Sequence, residues 1–271
     1  MFGFKRKKPM TLTPFAEARP KSFNAVLCDG LTVRGAPSFA ALLDLHASLQ
    51  AERPGLRVLV TLDNRIQAEY TSGHATDVHD LDDVTGHDLS FLDEAAFENG
   101  EHRGYLSTPA EFPIRVANLL ARARDVQLAQ AVGLLAWETS GDANDLVTVN
   151  RDPETALRID REAEILVQFV PVASGALALA AFPNGYFASD LNPMQTYALA
   201  QRLEAEYGLA LFGVGAAFLG FRRPGPLDEA TARALAEDLA GFYAASPSDA
   251  AARLAGLLAG RDWLLVRYTE S

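Results

Sequence analysis

The chain has 271 residues, 49% of them hydrophobic, and a formal charge of −11 from 35 acids against 24 bases. That length buries a substantial core and accommodates two domains of ordinary size, which excludes a largely disordered chain. Lys5, Arg6, Lys7 and Lys8 stand together, so −11 less their four positive charges leaves −15 on the remainder, a charge that repels phosphate backbones and excludes nucleic acid as the expected partner.

No charge-free apolar run reaches the roughly 18 residues a spanning helix needs, so no transmembrane segment is expected. The first residues also lack the apolar core and cleavage site of a signal peptide. The single cysteine, Cys28, rules out an intramolecular disulfide, and a cytoplasmic location is expected. Cys28 itself reads as a buried thiol rather than a nucleophile.

Residues 1–22 read as a flexible basic tail, with Phe2 and Phe4 beside the basic cluster and Pro9, Pro14 and Pro20 breaking any periodicity. A solvated terminus is the simplest account. Weak contact with an anionic membrane surface is the alternative, since each base contributes about 1 kcal/mol near such a surface.

An N-terminal α+β unit is expected over residues 23–140. Residues 25–28 form a short apolar run stopped by Asp29-Gly30. Ala36-Pro37-Ser38 opens a helix with Phe39, Leu42, Leu43, Leu45, His46 and Leu49 at helical spacing, closed by Pro54-Gly55. Residues 56–62 suit a buried strand, Asp63-Asn64 a turn, and residues 66–70 a hairpin partner. After a long acidic, histidine-rich loop over 71–108, residues 111–127 predict a second helix and residues 131–137 a strand.

A linker is expected over 141–164, with its seam at Gly141-Asp142-Ala143-Asn144. Within it, residues 146–149 suit a short strand and Asp152-Pro153-Glu154 a helix start. The C-terminal unit then occupies 165–271. Residues 165–172 and 176–182 read as a hairpin around Ser174-Gly175. Asn192 and Pro193 are a good N-cap and first helical residue, and Gly208 ends the helix they start. Residues 209–221 read as one long strand bent or split around a bulge at Gly213, Gly215 and Gly220. Two helices and a final strand over 263–268 follow, with Trp137 and Trp263 as core or interface residues.

The order strand, helix, strand, strand, helix, strand predicts an α+β fold of two tandem ferredoxin-like (βαββαβ-type) sandwich units. Pro37, helix, Gly55 and strand correspond to Pro193, helix, Gly208 and strand. An internal duplication accounts for this, as does coincidence between two ordinary modules.

Two sets of residues are candidates for a site. Tyr186 and Phe187, on a turn beside a capped helix, form a ligand pocket if Arg222 and Arg223 return next to them. The other set lies in 74–102, which holds four of the five histidines, nine carboxylates and no Lys or Arg. His74, Asp77, His79, Asp80 and His87 there are ligand types that a divalent transition metal accepts. Their spacing matches neither the zincin helix nor the calcium loop, and a solvated acidic loop is the competing account.

No coherent catalytic set emerges. The expected function is therefore a non-catalytic binding or regulatory module for a protein partner or a small ligand, without a cofactor. The alternative is a metal-dependent hydrolase built on segment 74–102.

Overall fold

The structure, a computed structural model, describes residues 10–20, 26–137, 145–159 and 164–269. Strands β1 (Thr11–Pro14) and β2 (Asp29–Arg34) lead into helix α1 (Phe39–Glu52), β3 (Arg57–Thr61) and α2 (Arg65–Val78). Two short strands, β4 (Phe97–Glu98) and β5 (Glu101–His102), precede α3 (Phe112–Ala123) and β6 (Leu135–Ala136). Then come α4 (Leu146–Arg151), α5 (Pro153–Ala156), β7 (Glu164–Val170), α6 (Pro193–Tyr207), β8 (Ala210–Val214) and β9 (Phe218–Arg222). The chain continues through α7 (Glu229–Ala240), β10 (Tyr243–Ala244), α8 (Ala250–Leu258) and β11 (Trp263–Arg267).

Seven strands make one mixed sheet in the order β1-β2-β7-β3-β8-β9-β11. Only β3 and β8 run parallel; the other neighbours are antiparallel. The fold is thus α+β, but its strands are not divided into one sheet per half. β7, from the second half, lies between β2 and β3 of the first and pairs with both. Tandem ferredoxin-like units would keep those strands apart. β7 takes an inner position, and its buried Ile165, Leu166, Val167 and Val170 cover both faces as an inner strand requires. Element order alone does not reveal which strands become neighbours.

Side chains alternate between two apolar layers. Val58 and Val60 of β3 join Leu31, Val33, Val167, Phe212 and the inner stripe of α1 on one face. Leu59 points to the other, larger layer with Leu199, Leu219, Phe221, Leu235 and Leu254. Helix ends follow the expected chemistry. Ser38 Oγ accepts from the Ala41 N–H at 3.1 Å at the start of α1. Asn192 and Gln195 form a reciprocal capping box on α6, and Gly208, at φ +68°, closes that helix in the left-handed conformation.

Several segments depart from expectation. Residues 66–70 belong to α2, because the Asn64 side chain caps a helix rather than a hairpin turn. The acidic loop therefore begins after Val78. Asp29 and Gly30 lie inside β2 instead of ending a strand, and β1 adds a further strand at the sheet's edge. Residues 146–149 are helical within α4, capped by Asp145, whose carboxylate accepts from the Val147 and Thr148 N–H groups. Residues 176–181 form a 3-10 turn, not a second hairpin strand. The long run 209–221, by contrast, is split as its glycines suggested, into the β8–β9 hairpin with a register shift between Leu211 and Gly213. The basic cluster at 5–8 and the seam at 141–144 lie outside the described residues. Among the described residues no helix is long and apolar enough to cross a membrane.

Candidate functional site

The parallel neighbours β3 and β8 pair only at Val60–Gly213 and Thr61–Val214. Toward the start of β3 they diverge, and the Val58 N–H and C=O, which face β8, have no strand to meet. Two α1 side chains take those places. Gln50 Oε1 accepts the Val58 N–H at 3.0 Å while its Nε2 donates to Leu56 O at 2.8 Å. His46 Nε2 lies 3.1 Å from Val58 O, and only an N–H there makes a hydrogen bond. Burial pushes the His46 imidazole down to about 4, so it is neutral. Its ring packs 5.2 Å from that of Phe212.

The divergence opens a cavity of about 570 Å³ at this end of the sheet. Its charged lining is largely committed. Glu204 accepts the Gly175 and Ala176 N–H groups, both at 3.2 Å. Arg222 donates to Asp262 Oδ2 from Nε and Nη2, at 3.3 and 3.2 Å, and through Nη1 to Leu43 O. Arg57 donates to the Ala173 carbonyl. Arg223 is held by its backbone N–H to Asp262 O at 2.9 Å, and its Nε is buried with no hydrogen-bond partner. Neither Arg57 nor Arg223 has a carboxylate partner among the described residues, although Asp228, the N-cap of α7, feels the Arg223 charge.

The expected four-residue pocket does not assemble. Arg222 sits beside Ala210, at the cavity end of β8 and β9. Tyr186 and Phe187 lie toward the opposite end, where Asn184 donates to the carbonyls of Ala68 and Gly215. Their rings are 5.1 Å apart and partly exposed, and Tyr186 is 5.0 Å from His74.

The five candidate metal ligands do not converge either, and among the described residues no group of three or more His, Cys, Asp or Glu could hold a metal ion. His74 lies on α2 between Tyr70 and Tyr186, and Asp77 is exposed on the same helix. His79 ends α2. Asp80 and His87 turn instead toward α3: the Asp80 carbonyl accepts from Arg122 at 3.0 Å, and His87 Nε2 meets Asn118 Oδ1 at 2.8 Å.

The acidic segment is tied down along its length. Asp82 forms a two-point pair with Arg115, at 2.7 and 2.9 Å, and Asn118 Nδ2 donates to the carbonyls of Leu81 and Asp83. His102 Nε2 is 2.7 Å from Glu111 Oε1. Burial raises the Glu111 carboxyl, but hydrogen bonds from Ser107, His102 and Thr108 outweigh it and leave it below the usual range.

Two other titratable groups are buried. Cys28 is pushed up to about 12 by burial, which makes it a poor nucleophile. Asp63 follows β3 and lines a second cavity of about 420 Å³. Its Oδ2 accepts the Ala217 N–H at 3.2 Å. Burial pushes it up to about 7 against the pull of the Ala216, Ala217 and Phe218 N–H groups.

His46, Gln50 and Arg57 were not marked as site residues by the sequence. Their signal was faint: a histidine on the apolar stripe of α1, with a glutamine one turn later. Comparison of the chain with protein-family models, characterised proteins and solved structures finds no match.

Proposed function

We propose that the chain is a cytoplasmic, non-catalytic binding module that takes a small ligand in the cavity between β3 and β8. The observation that carries this reading is the strand divergence itself. His46 and Gln50 satisfy the exposed edge of β3, so the space is left open rather than closed by pairing. Its volume of about 570 Å³ falls within the range of roughly 300–1,000 Å³ usual for small-molecule sites. Its lining combines a few polar groups with an apolar wall, which favours a small ligand over a protein partner. Among the described residues lining it there is no serine, threonine, cysteine, tyrosine or lysine, and its carboxylates Glu204 and Asp262 are engaged by backbone N–H groups and by Arg222, which supports binding over covalent chemistry. The metal-dependent hydrolase lacks a comparable observation, because its ligand set does not converge.

Methyl-resolved NMR with a small-molecule library tests the reading. Bound compounds shift the Ala47 and Leu211 methyls and are recovered unchanged. Ala47 is exposed on α1 and lines the cavity, so Ala47→Trp fills the space without entering the core and abolishes binding. A folded protein whose cavity methyls respond to no compound, or whose ligands survive Ala47→Trp, refutes it.

A further inference from the structure

Resting on that cavity as a ligand site, we infer that its ligand is a small carboxylate: one negative charge on an apolar body. Within the lining three arginines, Arg57, Arg222 and Arg223, face two carboxylates, Glu204 and Asp262, a surplus of one positive charge; Asp228, which feels the Arg223 charge, stands outside the lining at the α7 N-cap. His46 adds none, because its imidazole is neutral. Arg222 is spent on Asp262 and Leu43 O, which leaves Arg223 as the anchor and Arg57, which donates to the Ala173 carbonyl, as a second cation of the lining. Arg223 Nε is walled off from solvent, so an anion meets the terminal nitrogens of the guanidinium. Two such N–H groups suit the two oxygens of a carboxylate.

Charge also selects against a dianion. A phosphate ester would bring one charge more than the lining compensates, onto a protein of formal charge −11. The rest of the wall, Ala47, Ala51, Leu211, Phe212 and Pro224, has no polar side chain and suits an alkyl or aryl body.

Three probes with the same body separate the classes: hydrocinnamate, phenethyl phosphate and phenethyl alcohol. Affinities are measured by calorimetry near pH 7.5, where a phosphate monoester carries about two charges. Hydrocinnamate binds tightest. Arg223→Met weakens it about tenfold, the scale of a lost hydrogen bond to a charged group, and leaves the alcohol unchanged. Arg57→Met, at a more exposed position, weakens it less and serves if Arg223→Met does not fold.

A phosphate ester that binds more tightly than the carboxylate overturns the inference. So does an alcohol that matches hydrocinnamate, or an Arg223→Met protein that keeps full affinity. In each of these cases the cavity methyls still shift, so the ligand site itself stands. If library compounds occupy the cavity and hydrocinnamate does not, only the ligand class falls. If nothing occupies it, both fall.

Discussion

Asp63 offers a quantitative test of how this fold handles a buried charge. Its carboxyl lies against the β8–β9 hairpin, pushed by burial from an ordinary 3.8 to about 7, while the Ala216, Ala217 and Phe218 N–H groups and the Arg158 charge pull the other way. Tyr268 also faces it, and Asp190 acts on the same tyrosine. A raised carboxyl means that the folded protein keeps a proton that the unfolded chain releases. The stabilisation is complete below pH 3.8 and is lost as pH rises through about 7. About three units of difference, at about 1.4 kcal/mol each, amount to ~4 kcal/mol, of which ~3 kcal/mol falls between about pH 4.5 and 7.5. Asp63→Asn keeps an acceptor for the backbone and removes the titration. Urea denaturation of both proteins across that range gives the difference in stability, wild type minus variant, free of the other carboxylates. It should fall by ~3 kcal/mol as pH rises. A flat difference, or one that rises with pH, refutes the reasoning and means that the backbone N–H groups outweigh burial.

Arg115→Met removes the buried partner of half-buried Asp82; breaking this two-point pair should cost about 2–3 kcal/mol in urea denaturation, below the cost for a fully buried pair. Hydrogen exchange should quicken over residues 80–108, and unchanged protection there contradicts the anchoring role. Gly215→Ala should cost about 1–3 kcal/mol by thermal denaturation, because a Cβ would fall 1.7 Å from Asp63 Oδ1 and 2.8 Å from the Asp63 backbone N, which a side-chain movement cannot relieve. An unchanged melting midpoint rules out that close approach.

Much of the local structure was written in the sequence. Ser38, Asn192-Pro193 and Gly208 fixed the ends of α1 and α6, and the apolar run from Ile165, interrupted only by Gln168, marked β7 as a strand. Pairing was not legible, because β2 and β7 meet across about 130 residues and nothing local records the partner. The acidic segment shows the same limit in charge. Its histidines and carboxylates were conspicuous, but their partners Arg115, Asn118 and Arg122 sit on α3, some thirty residues further on. Their spacing places them along one side of that helix, a polar stripe that periodicity could have exposed. Of the candidate site, Arg222 and Arg223 were recognised and their surroundings were not. His46 and Gln50 gained their role from a gap between strands that only tertiary structure creates.

The insertion of β7 between β2 and β3 has a bearing on biosynthesis. β7 leaves the ribosome about a hundred residues after β3, an interval of several seconds at roughly 5–20 residues per second. Throughout it the facing edges of β2 and β3 are bare, the state in which nascent chains stick to one another. The nine carboxylates between His74 and His102, with no base among them, emerge in that same interval. Like charges at that density oppose close approach of one such segment to another, and here they fall in the chain between β3 and the β7 for which it waits.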